Sequence, residues 1–251
     1  MSQTQPNSDQ AWMERALVWA REVRGHVWPN PPVGCVIVKH GDVVSEAATH
    51  PGGRPHAERK AIEQAGQMAD GATLFVTLEP CCHWGKTPPC TDAIIHAGIS
   101  RVVCAVQDPD PRVNGGGFAT LRAAGIDVVV GVCSADAEAI MSGFFHRVHF
   151  GVPELVVSLE SGDAIPDGTD AFLVSGETKV VLTIRSGTME SDLKNPHHLL
   201  RWMGNLGLTT VAIPKLDRFW LNVESHAEVA EQGDRAQMAV ALHEVGSQLC
   251  R

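Results

Sequence analysis

The stretch VGCVIVKHGDVVSEAATH (33–50) decides how this chain is read. Its two halves are rich in β-branched and small apolar residues, and His40, Gly41 and Asp42 separate them. A break this short, with a glycine free to take positive φ, has the composition of a tight hairpin, so two antiparallel strands are expected. Toward the C-terminus, HAERKAIEQAG (56–66) starts a helix with Gly66 at its far end, TLFVTLEP (73–80) is a strand stopped by Pro80, and PCTDAIIHAGI (89–99) is a helix stopped by Gly98. RVVCAV (101–106) and IDVVVGV (126–132) read as short buried strands flanking the helix FATLRAAG (118–125). Toward the N-terminus, an amphipathic stretch from Gln10 to Arg24, with Trp12, Leu17 and Trp19 among polar neighbours, reads as a first helix with Asp9 as its N-cap. A further helix from Ala135 to about His149 closes this unit. A hairpin followed by alternating strand and helix gives a mixed sheet with helices on both faces, the three-layer αβα sandwich of the α/β class.

Pro153 opens a second region. ELVVSL (154–159), TKVVLTI (178–184) and LTTVAI (208–213) read as strands, and PHHLLRWMGNLG (196–207) and DRAQMAVALHEVGSQL (234–249) as helices. SGDAIPDGTD (161–170) has no periodicity and reads as a loop. Residues 151–251 are thus expected to form a smaller α/β module after a first domain at 1–150. With 251 residues, the chain can build one large or two modest cores without disulfides.

Composition excludes several classes of function. No apolar run approaches the ~18 residues that span a bilayer, so membrane insertion is not expected. The opening MSQTQPNSDQ lacks the basic start and apolar core of a secretory signal, and the cytoplasm is the expected location. Residues 1–150 carry 12 basic against 15 acidic side chains and the remainder 8 against 14, so both halves are acidic. Long nucleic acids, whose phosphates need a basic surface, are not expected partners. The seven cysteines do not form a disulfide framework in a chain of this length and kind. Cys35 and Cys104 sit within apolar runs and read as small hydrophobes.

The groups capable of chemistry concentrate in HAE (56–58) and EPCCHWGKTPPC (79–90). His56, Cys81 and Cys90, at the starts of two helices reached from the sheet, can supply one imidazole and two thiolates to zinc and leave a fourth position for water. Two thiolates neutralise the dication, and helix N-termini favour the thiolate form. Such an open site suits catalysis. Cys82 and His83 are near enough in sequence to allow a closed, purely structural zinc instead. Glu58 follows His56 by two residues, which on a helix turns it roughly 200° away, beside the metal rather than on it. Zinc makes water a usable nucleophile at neutral pH, and a carboxylate can carry its proton to a leaving amine.

His-x-Glu followed by a Pro-Cys pair resembles the signature of zinc-dependent deaminases. PNPPVGCVIV, His50 through HAE, TLEPCCHWGKTPPCTDAIIHAGI and VQDPDPRVNGGG make the likeness narrower. Together they resemble the deaminase domain of the bifunctional riboflavin-biosynthesis deaminase/reductase family over about residues 9–150. The eight residues between Cys81 and Cys90 are characteristic of it, whereas general cytidine deaminases have two. The resemblance implies a cytidine-deaminase-like fold, one zinc ion per chain, Glu58 as proton carrier, and a small pyrimidine ribotide as substrate. That substrate is a 2,5-diamino-6-ribosylamino-pyrimidinone 5′-phosphate, which loses its 2-amino group. The resemblance also implies that Asn30, His50, His83 and Lys86 line the substrate pocket, with Asp108 and Asp110 on the ribose side. Four of them have a plainer reading: Asn30 between prolines as a turn former, His50 as a surface loop histidine, and Asp108 and Asp110 as parts of a rigid turn, whereas His83 and Lys86 lie inside the metal loop.

This chain departs from the family at Asp110, where asparagine is usual, and at Gly116, where a basic residue is usual. In its second region, Ser158 and the segment from Glu160 to Ile165 stand in place of a lysine and a Ser-Leu-Asp-Gly turn. Pro214, Lys215 and Leu216 stand where the family has a Glu-Gly-Gly cofactor loop. The tail is expected to be a shortened reductase-like module without NADPH, serving dimer contacts or shaping the deaminase mouth, with a homodimer as the assembly. His197 and His198 read as solvated or capping residues. A monofunctional deaminase of riboflavin synthesis, or of a branch such as toxoflavin-type azapteridine synthesis, is the leading expectation. A deaminase of another small base or nucleotide, and a non-catalytic zinc-containing binding module, are the alternatives.

Overall fold

The computed structural model describes residues 8–158, 165, 167–175, 180–184, 187–191 and 196–214. The expected helix at 234–249, together with Glu160, Lys215, Leu216, Cys250 and the His197 side chain, lies outside the described residues. The chain divides between Met141 and Ser142 into two compact units.

In the first unit, β1 (Gly34–Lys39) and β2 (Asp42–Ala48) form the expected hairpin, with His40 and Gly41 both at positive φ. β3 (Thr73–Leu78), β4 (Arg101–Val106) and β5 (Asp127–Val130) complete a sheet of order β2-β1-β3-β4-β5. β1 is antiparallel to β2 and β3, whereas β3, β4 and β5 run parallel, so the sheet is mixed. α1 (Asp9–Glu22) packs on β1 and β3 and meets α5 (Ser134–Ile140). On the other face, α2 (Ala57–Ala65) packs on β1 and β2 and meets α3 (Cys90–His96), which meets α4 (Gly116–Ala123). Residue alternation along β1 shows how close the layers are. A Cβ on Gly34 would lie 1.9 Å from the Ala16 carbonyl oxygen of α1. Its neighbour Cys35 is buried on the opposite face, within reach of the Glu58 charge of α2.

Two helix expectations need correction. Ser8, not Asp9, caps α1: its side chain accepts the Ala11 amide at 3.3 Å. Asp9 sits one residue inside the helix, and its carboxylate is taken by Arg101 of β4 in a two-pronged pair at 2.7 and 2.8 Å. The expected helix from Ala135 to His149 is two helices, α5 and α6 (Ser142–Phe150), parted at Met141. Within the second unit α6 packs tightly at Gly143, where a Cβ would lie 2.0 Å from the Thr210 hydroxyl.

The second unit is a small α/β module. β6 (Glu154–Ser158), β7 (Ala171–Ser175), β8 (Val180–Ile184), β9 (Gly187–Ser191) and β10 (Thr210–Pro214) make a mixed sheet of order β6-β10-β7-β8-β9. α6 and α7 (Pro196–Asn205) are its described helices. Asp170, buried just before β7, accepts the Thr209 amide at 2.6 Å, the Thr209 hydroxyl at 2.7 Å and the Thr210 amide at 3.1 Å, which ties the starts of β7 and β10 together.

Topology places the site. The C-terminal ends of β2, β3 and β4 and the N-terminal start of β1 share one end of the first sheet. The segments leading into β1 and out of β2, β3 and β4 therefore converge there, where α/β sheets bind their ligands.

Candidate metal centre and its surroundings

β2 leads through 49–55 to His56, which caps α2 with extended backbone (φ −67°, ψ 156°) and so lies outside the helix. The 200° argument from helical spacing therefore does not apply. The His56 ring is set by the incoming loop, and Glu58 by the first turn of α2. Cys90 is the first residue of α3, while Cys81 lies in the loop after β3 rather than on a helix. It meets the same helix start through the Cys90 amide, which donates to Cys81 Sγ at 3.3 Å.

The ligand atoms of His56, Cys81 and Cys90 all lie within 4.8 Å of one another. His56 Nδ1 is 3.3 Å from Cys90 Sγ and 3.7 Å from Cys81 Sγ. A tetrahedral zinc with bonds of about 2.3 Å to sulfur and about 2.0 Å to nitrogen sets nitrogen and sulfur ligands about 3.6 Å apart. The observed separations bracket that edge, so the donor set fits zinc. Among the described residues neither Cys82 nor His83 joins the group, which favours an open position over a closed structural site. The Cys82 thiol instead donates to the Arg112 carbonyl at 3.6 Å.

Charge within the group is uneven. Hydrogen bonds from the Cys90 thiol and from His56 hold the Cys81 thiol well below its ordinary range, and the resulting thiolate raises Cys90. Glu58 is 4 % exposed. Burial raises its carboxyl, opposed by the charge of His56. It lies in hydrogen-bonding reach of Cys90 and shares no ligand role with the other three. A buried carboxylate with a raised pKa beside a water-accepting metal position can both take and return a proton.

The remaining expected residues sit on the converging loops. Asn30 is half-buried against Gly53, whose amide donates to the His50 carbonyl at 2.7 Å, so the segments bearing Asn30 and His50 meet. His50 is exposed, and its Nδ1–H donates to the Pro51 carbonyl at 2.7 Å. Lys86 is exposed in the metal loop, and His83 is half-buried there with Nδ1 lacking a partner among the described residues. Asp108 is 7 % exposed, and burial pushes its carboxyl up to about 6 against the donation of the Asp110 amide. Asp110 is held below the usual range chiefly by Arg112, which grips it through Nε, with a smaller contribution from His83.

Two residues that carried no expected role also shape this region. The Arg54 guanidinium donates to the Thr87 hydroxyl across the metal loop. Glu79, buried at the end of β3, accepts backbone amides from 108–118. A carboxylate closing an apolar strand one residue before a Pro-Cys pair must find donors somewhere, and that was the available signal.

Residues 6–106 match the family model described as the cytidine and deoxycytidylate deaminase zinc-binding region. The chain is 45 % identical over 175 residues to riboflavin biosynthesis protein RibD of Escherichia coli strain K12, covering 68 % of this chain and 48 % of that protein. It is 43 % identical over 145 residues to the diaminohydroxyphosphoribosylamino-pyrimidine deaminase of Buchnera aphidicola subsp. Schizaphis graminum, covering 58 % of this chain and 99 % of that protein. A solved deaminase/reductase from Thermotoga maritima superposes with a TM-score of 0.70 at 27 % identity, covering 87 % of this chain and 84 % of that one. The chain spans about half the length of the first RibD relatives it matches.

Proposed function

The chain belongs to the RibD family of riboflavin-biosynthesis deaminases, and from that premise we propose that it hydrolyses the 2-amino group from a 2,5-diamino-6-ribosylamino-pyrimidinone 5′-phosphate. The observation that carries this reading is the grouping of His56, Cys81 and Cys90 with Glu58 buried beside them. In this role His56, through Nδ1, and the thiolates of Cys81 and Cys90 hold the ion. Bound zinc supplies the acidity that makes water a nucleophile at neutral pH. Glu58 takes a proton from that water as its oxygen adds to the ring carbon bearing the amine. It then delivers the proton to the departing nitrogen, so that water and the amino-pyrimidine become the oxo-pyrimidine and ammonia.

Around this chemistry, Asn30, His50, His83 and Lys86 line the substrate pocket, with Asp108 and Asp110 on its ribose side. The Asp110–Arg112 pair reduces the cost of a carboxylate near a phosphorylated ligand, since Arg112 neutralises it in place. The second unit is read as reductase-like without NADPH, on the ground that β10 ends at Pro214, where the family places a glycine-bearing cofactor loop. Service in riboflavin synthesis itself or in a toxoflavin-type branch depends on the product's fate. The test is to incubate the zinc-loaded protein with the ribotide and its dephosphorylated form, with and without NADPH, following ammonia and ribityl product separately. Ammonia without ribityl product is expected; no ammonia from either substrate overturns the reading.

A further inference from the structure

β3 delivers Cys81 to the metal centre, and two residues earlier it leaves Glu79, a carboxylate 3 % exposed and in no ion pair among the described residues. Its Oε2 accepts the amides of Asp108 at 3.2 Å and Gly115 at 2.9 Å. Its Oε1 accepts those of Gly117 at 2.8 Å and Phe118 at 3.3 Å. These four amides bracket the segment bearing Asp108 and Asp110: one opens it after β4, and three belong to the turn and first residues of α4. Backbone is pressed directly onto the carboxylate, because a Cβ on Gly117 would lie 2.2 Å from the Pro80 carbonyl oxygen and 3.0 Å from Glu79 Oε1. Inside the bracket, Asp108 Oδ1 accepts the Asp110 amide and Asp110 Oδ1 the Arg112 amide, each at 2.9 Å. The segment is thus folded on itself and anchored at both ends by one side chain. Only a carboxylate suits this place. A glutamine offers one accepting oxygen, and its NH₂ would face two N–H donors.

We propose that Glu79 is a positioning residue that holds the Asp108–Asp110 segment at a fixed place beside the metal loop and thereby sets affinity for the ribosyl end of the substrate, touching neither substrate nor metal. The proposal rests on the deaminase reading above. Its mark is selectivity: an anchor for the ribose side governs KM for the ribotide, while the metal centre and Glu58 continue to govern kcat.

The test is Glu79→Gln, nearly equal in volume. In the zinc-loaded variant KM for the ribotide should rise by about tenfold or more, with kcat within about threefold of wild type. Zinc content should be unchanged, as should KM for the pyrimidine base lacking the ribosyl group. Amide hydrogen exchange at Gly115, Gly117 and Phe118 should accelerate. In a Glu58→Gln background, which binds without turnover, calorimetry should show the same loss of ribotide affinity. Gly117→Ala, which displaces the backbone and leaves Glu79 in place, should reproduce the selective rise and serves if Glu79→Gln does not fold. Equal KM changes for ribotide and base, a fall in kcat at constant KM, or unchanged amide exchange would overturn the proposal. Ammonia release by the wild type tests the deaminase reading separately. Should that fail, calorimetry and amide exchange still decide the role of Glu79.

Discussion

Replacing Glu58 by Gln isolates the proton-carrying step from everything else at the centre. The side chain is 4 % exposed, so bulk water has little access to replace a missing base. The proposed ligand atoms belong to His56, Cys81 and Cys90, so on that reading the ion does not depend on Glu58. Glutamine has nearly the same shape, and its amide oxygen can still accept where the carboxylate accepts from the Cys90 thiol. Glu58 is assigned two transfers, from water and to the leaving nitrogen, and a positioned acid or base is worth about 10²–10⁴ in rate. Loss of both predicts a fall in kcat of about 10⁴-fold or more, equivalent to about 5.5 kcal/mol of barrier. The assay is ammonia release under saturating ribotide, with zinc per chain and the far-ultraviolet circular dichroism measured on the same samples. Equal zinc and equal secondary structure with a rate within about tenfold of wild type would refute the assignment of Glu58.

Other substitutions probe the surrounding framework. Cys90→Ser should abolish stoichiometric zinc and lower the thermal midpoint of the loaded protein; metal analysis showing full occupancy would contradict the ligand set. Asp108 is pushed up to about 6, so its folded-state pKa exceeds the ordinary 3.8. The folded protein then keeps a proton that the unfolded chain has lost, and stability falls as pH rises from about 4 through 6. Asp108→Asn should remove that slope and raise stability at pH 7 by about 1–3 kcal/mol in urea titrations; a slope equal to wild type would count against it. Gly34→Ala places a methyl group 1.9 Å from the Ala16 carbonyl oxygen and 2.9 Å from the Ala20 nitrogen, both helix backbone atoms that cannot swing aside. A cost of about 1–3 kcal/mol or more should appear as a lower denaturant midpoint, and an unchanged midpoint would mean the layers have slack. Asp170→Ala leaves the amides of Thr209 and Thr210 without their acceptor, which should cost the second unit about 2–5 kcal/mol by the same titration.

The grouping of His56, Cys81 and Cys90 could be read from sequence because two thiols and an imidazole flanking strand ends, with a glutamate two residues on, form a pattern with few other uses. The hairpin was equally readable, since His40–Gly41 between two apolar runs has one economical conformation. What stayed hidden depended on long-range partners. Ser8 and Asp9 are both good caps in isolation, and the choice between them turns on Arg101, which is remote in sequence. The break at Met141 interrupts a stretch whose sequence pattern reads as one continuous helix. β7 is a five-residue run beside a polar loop, and β9 (GTMES) has almost no apolar signal; it pairs because β8 offers it an edge. Glu79 was overlooked for the same reason, because its four partners come from a segment that sequence alone does not place beside it.

The site segments converge at one end of the first sheet, and the hairpin turn lies at the other. The His40–Gly41 turn sits there, separated from the metal end by the length of β1, six residues or about 20 Å. A reporter domain or fluorophore inserted at that turn would leave every ligand-bearing loop covalently intact.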